Sequence, residues 1–197
     1  MSDTTATATD AENEDEPAAP RRSHVRRNIE WVVIVVVAVL SALLVKTFLI
    51  EAFYIPSGSM EPTLDIGDRV LVNKLSYHLH DVHRGDVIVF KRPPGVAGEP
   101  RIKDFIKRVI GLPGDTIETR ADAVYINGKK LPEKYLPTGM RTIPGIERQK
   151  VPPKHYWVMG DNRTNSSDSR FFRTITESSI LGRAFIQVWP FSHFGGL

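Results

Sequence analysis

The sequence predicts a mainly β protein, in which a single N-terminal transmembrane helix is followed by an antiparallel β-rich domain. Three observations support this prediction: an apolar run covers residues 31–50, short β-rich runs recur from residue 68 onwards, and glycine and proline clusters separate those runs. No long amphipathic helix and no repeat is visible after residue 50.

The apolar run Trp31–Ile50 is long enough to cross a bilayer. It contains one charged residue, Lys46, and as a helix it would span roughly 30 Å, about the thickness of the hydrocarbon layer. Lys46 lies one turn from the end, where its amine can reach the interface. A cleaved signal peptide is the alternative, but its apolar region would be shorter and would end in a small-x-small site. We therefore expect a retained anchor over residues 29–51.

The charges around this run predict its orientation. Four arginines lie between residues 21 and 27, and none directly follows the run. This places the N-terminus in the cytoplasm and residues 52–197 outside it, in a single-pass protein of the cell membrane. Residues 1–20 carry six acidic and no basic residues. We therefore predict that residues 1–28 form a disordered cytoplasmic tail that ends in the basic cluster.

The composition excludes several functional classes. The chain has no cysteine, which rules out disulfides, thiolate metal sites and a cysteine nucleophile. Its net charge is +3, and the basic residues form no stripe along the outer domain. Nucleic acid is therefore not an expected partner. No cofactor is expected either.

The β-rich runs predict six strands, a hairpin and a smaller lobe. The predicted strands are Asp68–Asn73, Asp86–Phe90, Phe105–Ile110, Val124–Ile126, Tyr156–Met159 and Ala184–Trp189. Asn127-Gly128 directly after one of them is a two-residue hairpin signal. Short helical turns are predicted near Glu133–Leu136 and Thr176–Ile180. The turn-rich, polar residues 114–153 are predicted to form the smaller lobe.

Directly after the anchor, the segment IPSGSMEPTL places two serines around Gly58, with prolines on either side. Glycine permits backbone turns that other residues resist, and the prolines stiffen the approach. Such a pattern alone is also common in ordinary loops.

A second segment, DFIKRVIGLPGD, places a lysine in a predicted strand. Side chains alternate between the faces of a strand, so Phe105, Lys107 and Val109 share one face and Arg108 points the other way. Lys107 is then either an edge lysine whose amine reaches water, or a desolvated lysine with a chemical role.

A third segment, GDNRTNSSDSR, is rich in short hydrogen-bonding side chains that brace loops. Its carboxylates could bind a metal, but Arg163 and Arg170 are interleaved with them, so pairing with arginine is the simpler interpretation. The segment HLHDVH (residues 78–83) also invites a metal interpretation, and a polar loop between two strands is favoured there. We therefore predict no metal site.

Together, in this order behind one membrane span, PSGSMEPTL, KRVIGLPGD and GDNRTNSSDSR resemble the motifs of bacterial type I signal peptidase. The resemblance covers roughly residues 30–190. It implies a signal-peptidase-like catalytic domain of antiparallel strands on the outer membrane face. It also implies a serine endopeptidase that removes signal peptides from exported preproteins after Ala-x-Ala. The chain departs from the family pattern in its single span and short lobe.

The resemblance implies a role for each matching residue. Ser59 corresponds to the nucleophile and Lys107 to the general base. The Ser57 hydroxyl would join the Ser59 backbone N–H in the oxyanion hole. Ser166 would orient the lysine.

Asp168 and Arg170 resemble the family's bracing pair near the lysine. A substrate peptide would bind as an added strand, with small side chains entering shallow apolar pockets. The candidate pocket residues are Phe53, Ile55, Pro56, Met60, Leu64 and Phe105.

A lysine base needs an unusual environment. With an ordinary pKa near 10.4, about 0.04% of lysine is neutral at pH 7, and a useful base needs a pKa roughly three units lower. Burial among apolar groups lowers the pKa, whereas a nearby carboxylate raises it. We therefore predict that Asp168 pairs with an arginine and not with Lys107.

Three alternatives remain at this point. A histidine could be the base (His78, His80, His83 or His155), although no Gly-x-Ser-x-Gly elbow accompanies these residues. The domain could bind exported peptides without cutting them. A self-cleaving serine–lysine protease of the repressor type is disfavoured by the anchor.

Overall fold

The computed structural model describes residues 24–96, 102–142 and 146–197. The predicted tail therefore lies almost entirely outside the described residues. The described residues up to Ser41 and those from Ala42 onwards belong to two separate units of the fold.

The N-terminal helix, α1, runs from His24 to Phe48. Its segment Arg26–Leu44 has a mean hydropathy of 2.0 and no buried residue, and it is the one described helix that is long and apolar enough to cross a membrane. The Lys46 side chain lies outside the described part. Ile50 and Glu51, which the sequence predicts to be part of the anchor, belong instead to the first strand. They leave the helix because their backbone pairs with a neighbouring strand, which hydropathy does not reveal.

The described residues between 42 and 197 contain the end of α1, twelve strands, three 3₁₀ turns and two short helices, α2 (Ser76–Leu79) and α3 (Ser169–Phe172). The strands are β1 (Ile50–Tyr54), β2 (Arg69–Asn73), β3 (Val87–Lys91), β4 (Asp104–Gly111), β5 (Thr116–Arg120), β6 (Ala123–Ile126), β7 (Lys129–Lys130), β8 (Gln149–Lys150), β9 (His155–Met159), β10 (Ile175–Thr176), β11 (Ile180–Trp189) and β12 (Gly195–Gly196).

The strands form two antiparallel sheets. The main sheet has the order β1-β2-β11-β3-β4-β9-β10, with β12 added to β11, and the second sheet has the order β7-β6-β5-β8. This confirms the predicted fold class. The second sheet lies within the predicted lobe, 114–153, but it belongs to the same compact unit as the main sheet.

All six predicted strands are present, with ends that differ by a few residues. The predicted hairpin is also confirmed: Asn127 and Gly128 have φ values of 52° and 80°, and two positive values are what a type I′ turn requires. A 3₁₀ turn at Glu177–Ser179 matches one predicted helical turn. The other prediction, Glu133–Leu136, is a single hydrogen-bonded turn without a helix.

Successive residues of β3 point into two different cores. Val87 and Val89 belong to a first core with Met60, whereas Ile88 and Phe90 belong to a second core. This is the alternation expected of a strand that is buried on both faces. Phe105 and Val109 of β4 pack in the second core, so Lys107, which lies between them, projects from the same face.

Candidate active site

Ser59 and Lys107 meet although 48 residues separate them along the chain. The Lys107 Nζ lies 2.6 Å from the Ser59 Oγ and donates a hydrogen bond of 2.9 Å to the Ile106 carbonyl. Lys107 comes from β4, in the middle of the main sheet. Ser59 lies in a 3₁₀ turn, Gly58–Met60, which we call the Ser59 turn.

The Lys107 side chain is removed from water. The residue is 4% exposed, and its Nζ lies 5.6 Å from the centre of the Phe105 ring. The pKa of Lys107 is lowered to about 8: burial lowers it most, Asp168 and Asp161 raise it, and Arg170 has a smaller lowering effect. Burial dominates because a charged amine loses its hydration there. At pH 7 roughly one lysine in ten would then be neutral.

The Asp168 carboxylate forms an ion pair with Arg170. Both oxygens accept hydrogen bonds of 2.8 Å from the guanidinium. The same carboxylate accepts a bond from the Gly160 N–H and caps α3 through the Arg170 N–H. The prediction that Asp168 pairs with an arginine rather than with Lys107 is therefore confirmed.

The two other predicted serines lie near Ser59. The Ser57 Oγ is 3.4 Å from the Ser59 Oγ, at an exposed position. Ser166 is buried, and its Oγ has no hydrogen-bond partner among the described residues. The Lys107 amine donates hydrogen bonds to Ser59 and to the Ile106 carbonyl. The orienting role that the resemblance implies for Ser166 stays a prediction.

Asn162, which the sequence interpretation did not single out, holds the Ser59 turn. Its backbone N–H donates to the Ser59 carbonyl at 3.1 Å, and its Nδ2 donates to the Gly58 carbonyl at 2.9 Å. The third motif therefore binds the first motif through two main-chain carbonyls. No periodicity in the sequence could have indicated this contact, because the Asn162 amide and Gly58 are 104 residues apart.

Gly160 permits this close approach. A Cβ atom at this position would lie 2.3 Å from both the Ser59 carbonyl oxygen and the Ser166 Oγ, and real side chains do not tolerate such distances. Glycine is required here for space, since a methyl group would push the third motif away from the Ser59 turn.

Two buried arginines join these motifs to the rest of the domain. Arg108 donates to both Asp161 oxygens, at 2.6–3.2 Å, and Asp161 also accepts a bond from the Thr63 hydroxyl. Arg163 is fully buried and pairs with Glu133 of the lobe. Each buried cation therefore has the partner that burial requires.

The comparisons with known proteins agree with these motifs. Residues 28–189 match the family model described as "Signal peptidase, peptidase S26". The chain belongs to the signal peptidase family.

Individual relatives cover most of the chain. It is 44% identical to the "Probable signal peptidase I-2" of Synechocystis over 81% of this chain and 72% of the relative. It is 41% identical to the "Signal peptidase I" of Leptolyngbya laminosa over 92% and 91%. A crystal structure of a signal peptidase I from Enterococcus faecalis V583 shares 34% identity over 53% of this chain and 97% of that one, with a TM-score of 0.43. The family model and the two sequence relatives confirm the predicted family and enzyme class.

The residues suggested as walls for a signal peptide differ in their accessibility. Ile55, Met60 and Leu64 are at most 1% exposed and pack in the first core. They cannot touch a bound peptide without a rearrangement, because adjoining strands already cover them. Phe53 and Phe105 are partly buried, and Pro56 is exposed.

None of the described histidine side chains of this signal peptidase hydrogen-bonds to Ser59. The His80 and His155 rings bond to the carbonyls of Asp81 and Pro153, and the His78 side chain lies outside the described part. Among the described residues, one group has metal-ligand spacing, and it is His193 with Asp65 and Asp68 rather than the HLHDVH segment.

Proposed function

We propose that this signal peptidase cleaves exported preproteins with Ser59 as nucleophile and Lys107 as general base. The observation that carries the proposal is the 2.6 Å separation of the Ser59 Oγ and the Lys107 Nζ, combined with the burial of the amine. The distance allows direct proton transfer, and the burial supplies a neutral base near neutral pH.

Catalysis would begin with the neutral form of Lys107. Its Nζ accepts the Ser59 proton as the Oγ attacks the carbonyl carbon of the scissile bond. The Ser57 hydroxyl and the Ser59 N–H would donate to the oxyanion that forms. The Lys107 ammonium then donates its proton to the leaving nitrogen, the C–N bond breaks, and the signal peptide remains as an ester on Ser59. A water, deprotonated by Lys107, hydrolyses the ester and restores both side chains.

The neighbouring residues would position the pair. Asn162 holds the Ser59 turn through the carbonyls of residues 58 and 59. Asp168 and Arg170 neutralise each other beside the lysine. Ser166 would orient the Lys107 amine once it approaches within hydrogen-bond distance.

The main sheet offers an edge for the substrate. Residues 104–107 of β4 pair with β3 on one side, whereas the pairing with β9 begins at Arg108. Within the described residues, the other side of Asp104–Lys107 has no strand partner. We propose that the signal peptide adds there as an extended strand. We further propose cleavage after Ala-x-Ala, as the resemblance to the family implies; Ile55, Met60 and Leu64 are buried in the first core and do not line the substrate path.

We also propose a single-pass membrane protein with a cytoplasmic N-terminus. The exposed apolar helix α1 and the four arginines between residues 21 and 27 support this orientation. The chain has no cysteine, so Ser178→Cys at an exposed position would be the single thiol. In intact cells a membrane-impermeant maleimide should label this variant, and labelling only after lysis would reverse the proposed orientation.

The proposed mechanism is tested on the purified full chain with a preprotein and mass spectrometry. Ser59→Ala and Lys107→Met should each abolish cleavage while leaving the melting behaviour cooperative. Lys103→Met, at an exposed lysine just before the same strand, is the matched control and should cleave normally. Processing by either dyad variant would refute the residue assignment. A single cut elsewhere than after Ala-x-Ala would refute only the specificity.

A further inference from the structure

Asp68 differs from the other buried aspartates of the domain in its partner. It is 2% exposed, and a carboxylate is costly to bury without a positive charge beside it. Within the described residues, no arginine or lysine pairs with Asp68, and its ion-pair partner is His193. Each of the other buried aspartates described has an arginine partner: Asp86 pairs with Arg183, Asp115 with Arg84, Asp161 with Arg108 and Asp168 with Arg170. A histidine carries a positive charge only when it is protonated, so Asp68 lacks the permanent cation that the others have.

Three possible metal ligands converge at this position. The His193 Nδ1 lies 3.3 Å from the Asp68 Oδ1 and 3.9 Å from the Asp65 Oδ2. The ligand atoms of the three residues all lie within 4.8 Å of one another. In a tetrahedral zinc site, where the bonds measure about 2.0–2.2 Å, neighbouring ligand atoms are about 3.4 Å apart. The three side chains therefore need little movement to bind one cation.

Two loops that are distant in sequence bring these ligands together. Asp65 and Asp68 lie between the Ser59 turn and β2, and His193 ends the 3₁₀ turn Phe191–His193 that follows β11. The Asp65 N–H donates a hydrogen bond of 2.6 Å to the Asp68 Oδ2, which fixes this carboxylate and leaves its Oδ1 beside His193. The sequence does not indicate the site, because 125 residues separate Asp68 from His193.

We propose that Asp65, Asp68 and His193 bind one divalent transition-metal cation, for which Zn²⁺ is the best match. Imidazole nitrogen and carboxylate oxygen together suit zinc, whereas Mg²⁺ and Ca²⁺ prefer oxygen ligands alone. Two ionised carboxylates and a neutral imidazole leave two negative charges, which a divalent cation balances. Water would fill the fourth position. The cation would join the C-terminal segment to the loop that follows the Ser59 turn, and it takes no part in the proposed cleavage.

The test measures zinc binding to the full chain, purified without a histidine tag. Titration calorimetry with Zn²⁺ should detect a site that depends on His193. Zinc at about a hundredfold excess over its Kd should raise the melting temperature by roughly 5–10 °C. His193→Ala and Asp65→Asn, both at exposed positions, should each weaken binding by about tenfold or more, as expected for the loss of a ligand. His80→Ala, at an exposed histidine of the HLHDVH segment, is the matched control and should bind zinc as the wild type does.

A melting temperature that does not respond to zinc would overturn the proposal. An affinity that His193→Ala leaves unchanged, or that His80→Ala abolishes, would also overturn it. A second measurement uses Co²⁺, whose visible absorption is intense in a tetrahedral site. The wild type and His80→Ala should show this absorption and His193→Ala should not, whereas equal spectra of all three proteins would contradict the site. Ser59→Ala should bind zinc as tightly as the wild type, so the outcome is independent of the proposed function.

Discussion

Both carboxylate oxygens of Asp168 accept hydrogen bonds from the Arg170 guanidinium. The buried Lys107 amine is nevertheless close enough for the Asp168 charge to affect its pKa. Burial has the largest effect and lowers the pKa of Lys107, the Asp168 carboxylate raises it, and the Arg170 guanidinium offsets part of that rise. A carboxylate without an arginine partner in the same place would keep Lys107 protonated, and a protonated lysine cannot act as a general base.

Substitutions of Asp168 and of Arg170 are therefore expected to shift the pH profile of activity in opposite directions. Activity of the wild type should rise with pH through about 8, as Lys107 becomes neutral. Arg170→Gln should move this limb of kcat/KM to higher pH by roughly one unit, and Asp168→Asn should move it to lower pH. Profiles that shift in the same direction, or stay unchanged, would show that the pair does not act through Lys107.

Replacing the lysine should stabilise the fold at neutral pH. The lowered pKa, about 8 against 10.5, corresponds to about 3 kcal/mol of unfavourable free energy for the charged form. Lys107→Met removes this cost and loses hydrogen bonds worth roughly 1 kcal/mol. We expect the variant to be about 2 kcal/mol more stable at pH 7 by chemical denaturation.

The extra stability of Lys107→Met over the wild type should decrease as the pH rises from about 8 to 10.5. Between about pH 8 and 10.5 the unfolded wild type binds more protons at Lys107 than the folded form, so wild-type stability rises with pH across this window. Above pH 10.5 the variant should be slightly the less stable of the two. A difference that is constant from pH 7 to pH 11 would mean that Lys107 is not the source.

Loss of the Asn162 side chain should affect turnover more than binding. Asn162→Ala removes the bond to the Gly58 carbonyl, which loosens the Ser59 turn relative to Lys107. We expect kcat to fall by roughly 10–100-fold, because small displacements of reacting groups are costly, with KM nearly unchanged and the pH limb still near 8. An increase in KM alone would assign Asn162 to substrate binding.

Gly160→Ala should damage both activity and stability. The added methyl group would overlap the Ser59 carbonyl and the Ser166 hydroxyl, and such overpacking costs about 1–3 kcal/mol. At Gly195 the nearest atom to an added Cβ is 3.9 Å away, so Gly195→Ala serves as the control. Equal melting temperatures and cleavage rates of the two variants would contradict the close packing around Gly160.

The strands could be predicted where their pattern is strong. The buried strand β3 is wholly apolar in its first four residues, and β6 ends in a hairpin signal. The sequence does not predict strand β5, because its residues, TIETR, have mostly polar and charged side chains. Two-residue strands such as β8 and β10 carry no periodicity at all, since long-range pairing defines them.

The sequence predicts the catalytic residues of the site but not the contacts that hold them in place. Ser59 and Lys107 belong to motifs that resemble a known family, and burial of the lysine follows from the need for a neutral base. The contact of Asn162 with the Ser59 turn depends on how two distant loops meet. The Arg163–Glu133 pair likewise joins the third motif to the lobe, and local sequence does not specify either contact.

The lobe leaves the main sheet after β4 and returns at β9, and these two strands are hydrogen-bonded neighbours. The lobe therefore begins and ends at neighbouring positions of the main sheet. Residues could be added to it or removed from it without changing the relative positions of Ser59 and Lys107. The length of the lobe in this chain could therefore change, provided that a carboxylate still pairs with the buried Arg163, as Glu133 does.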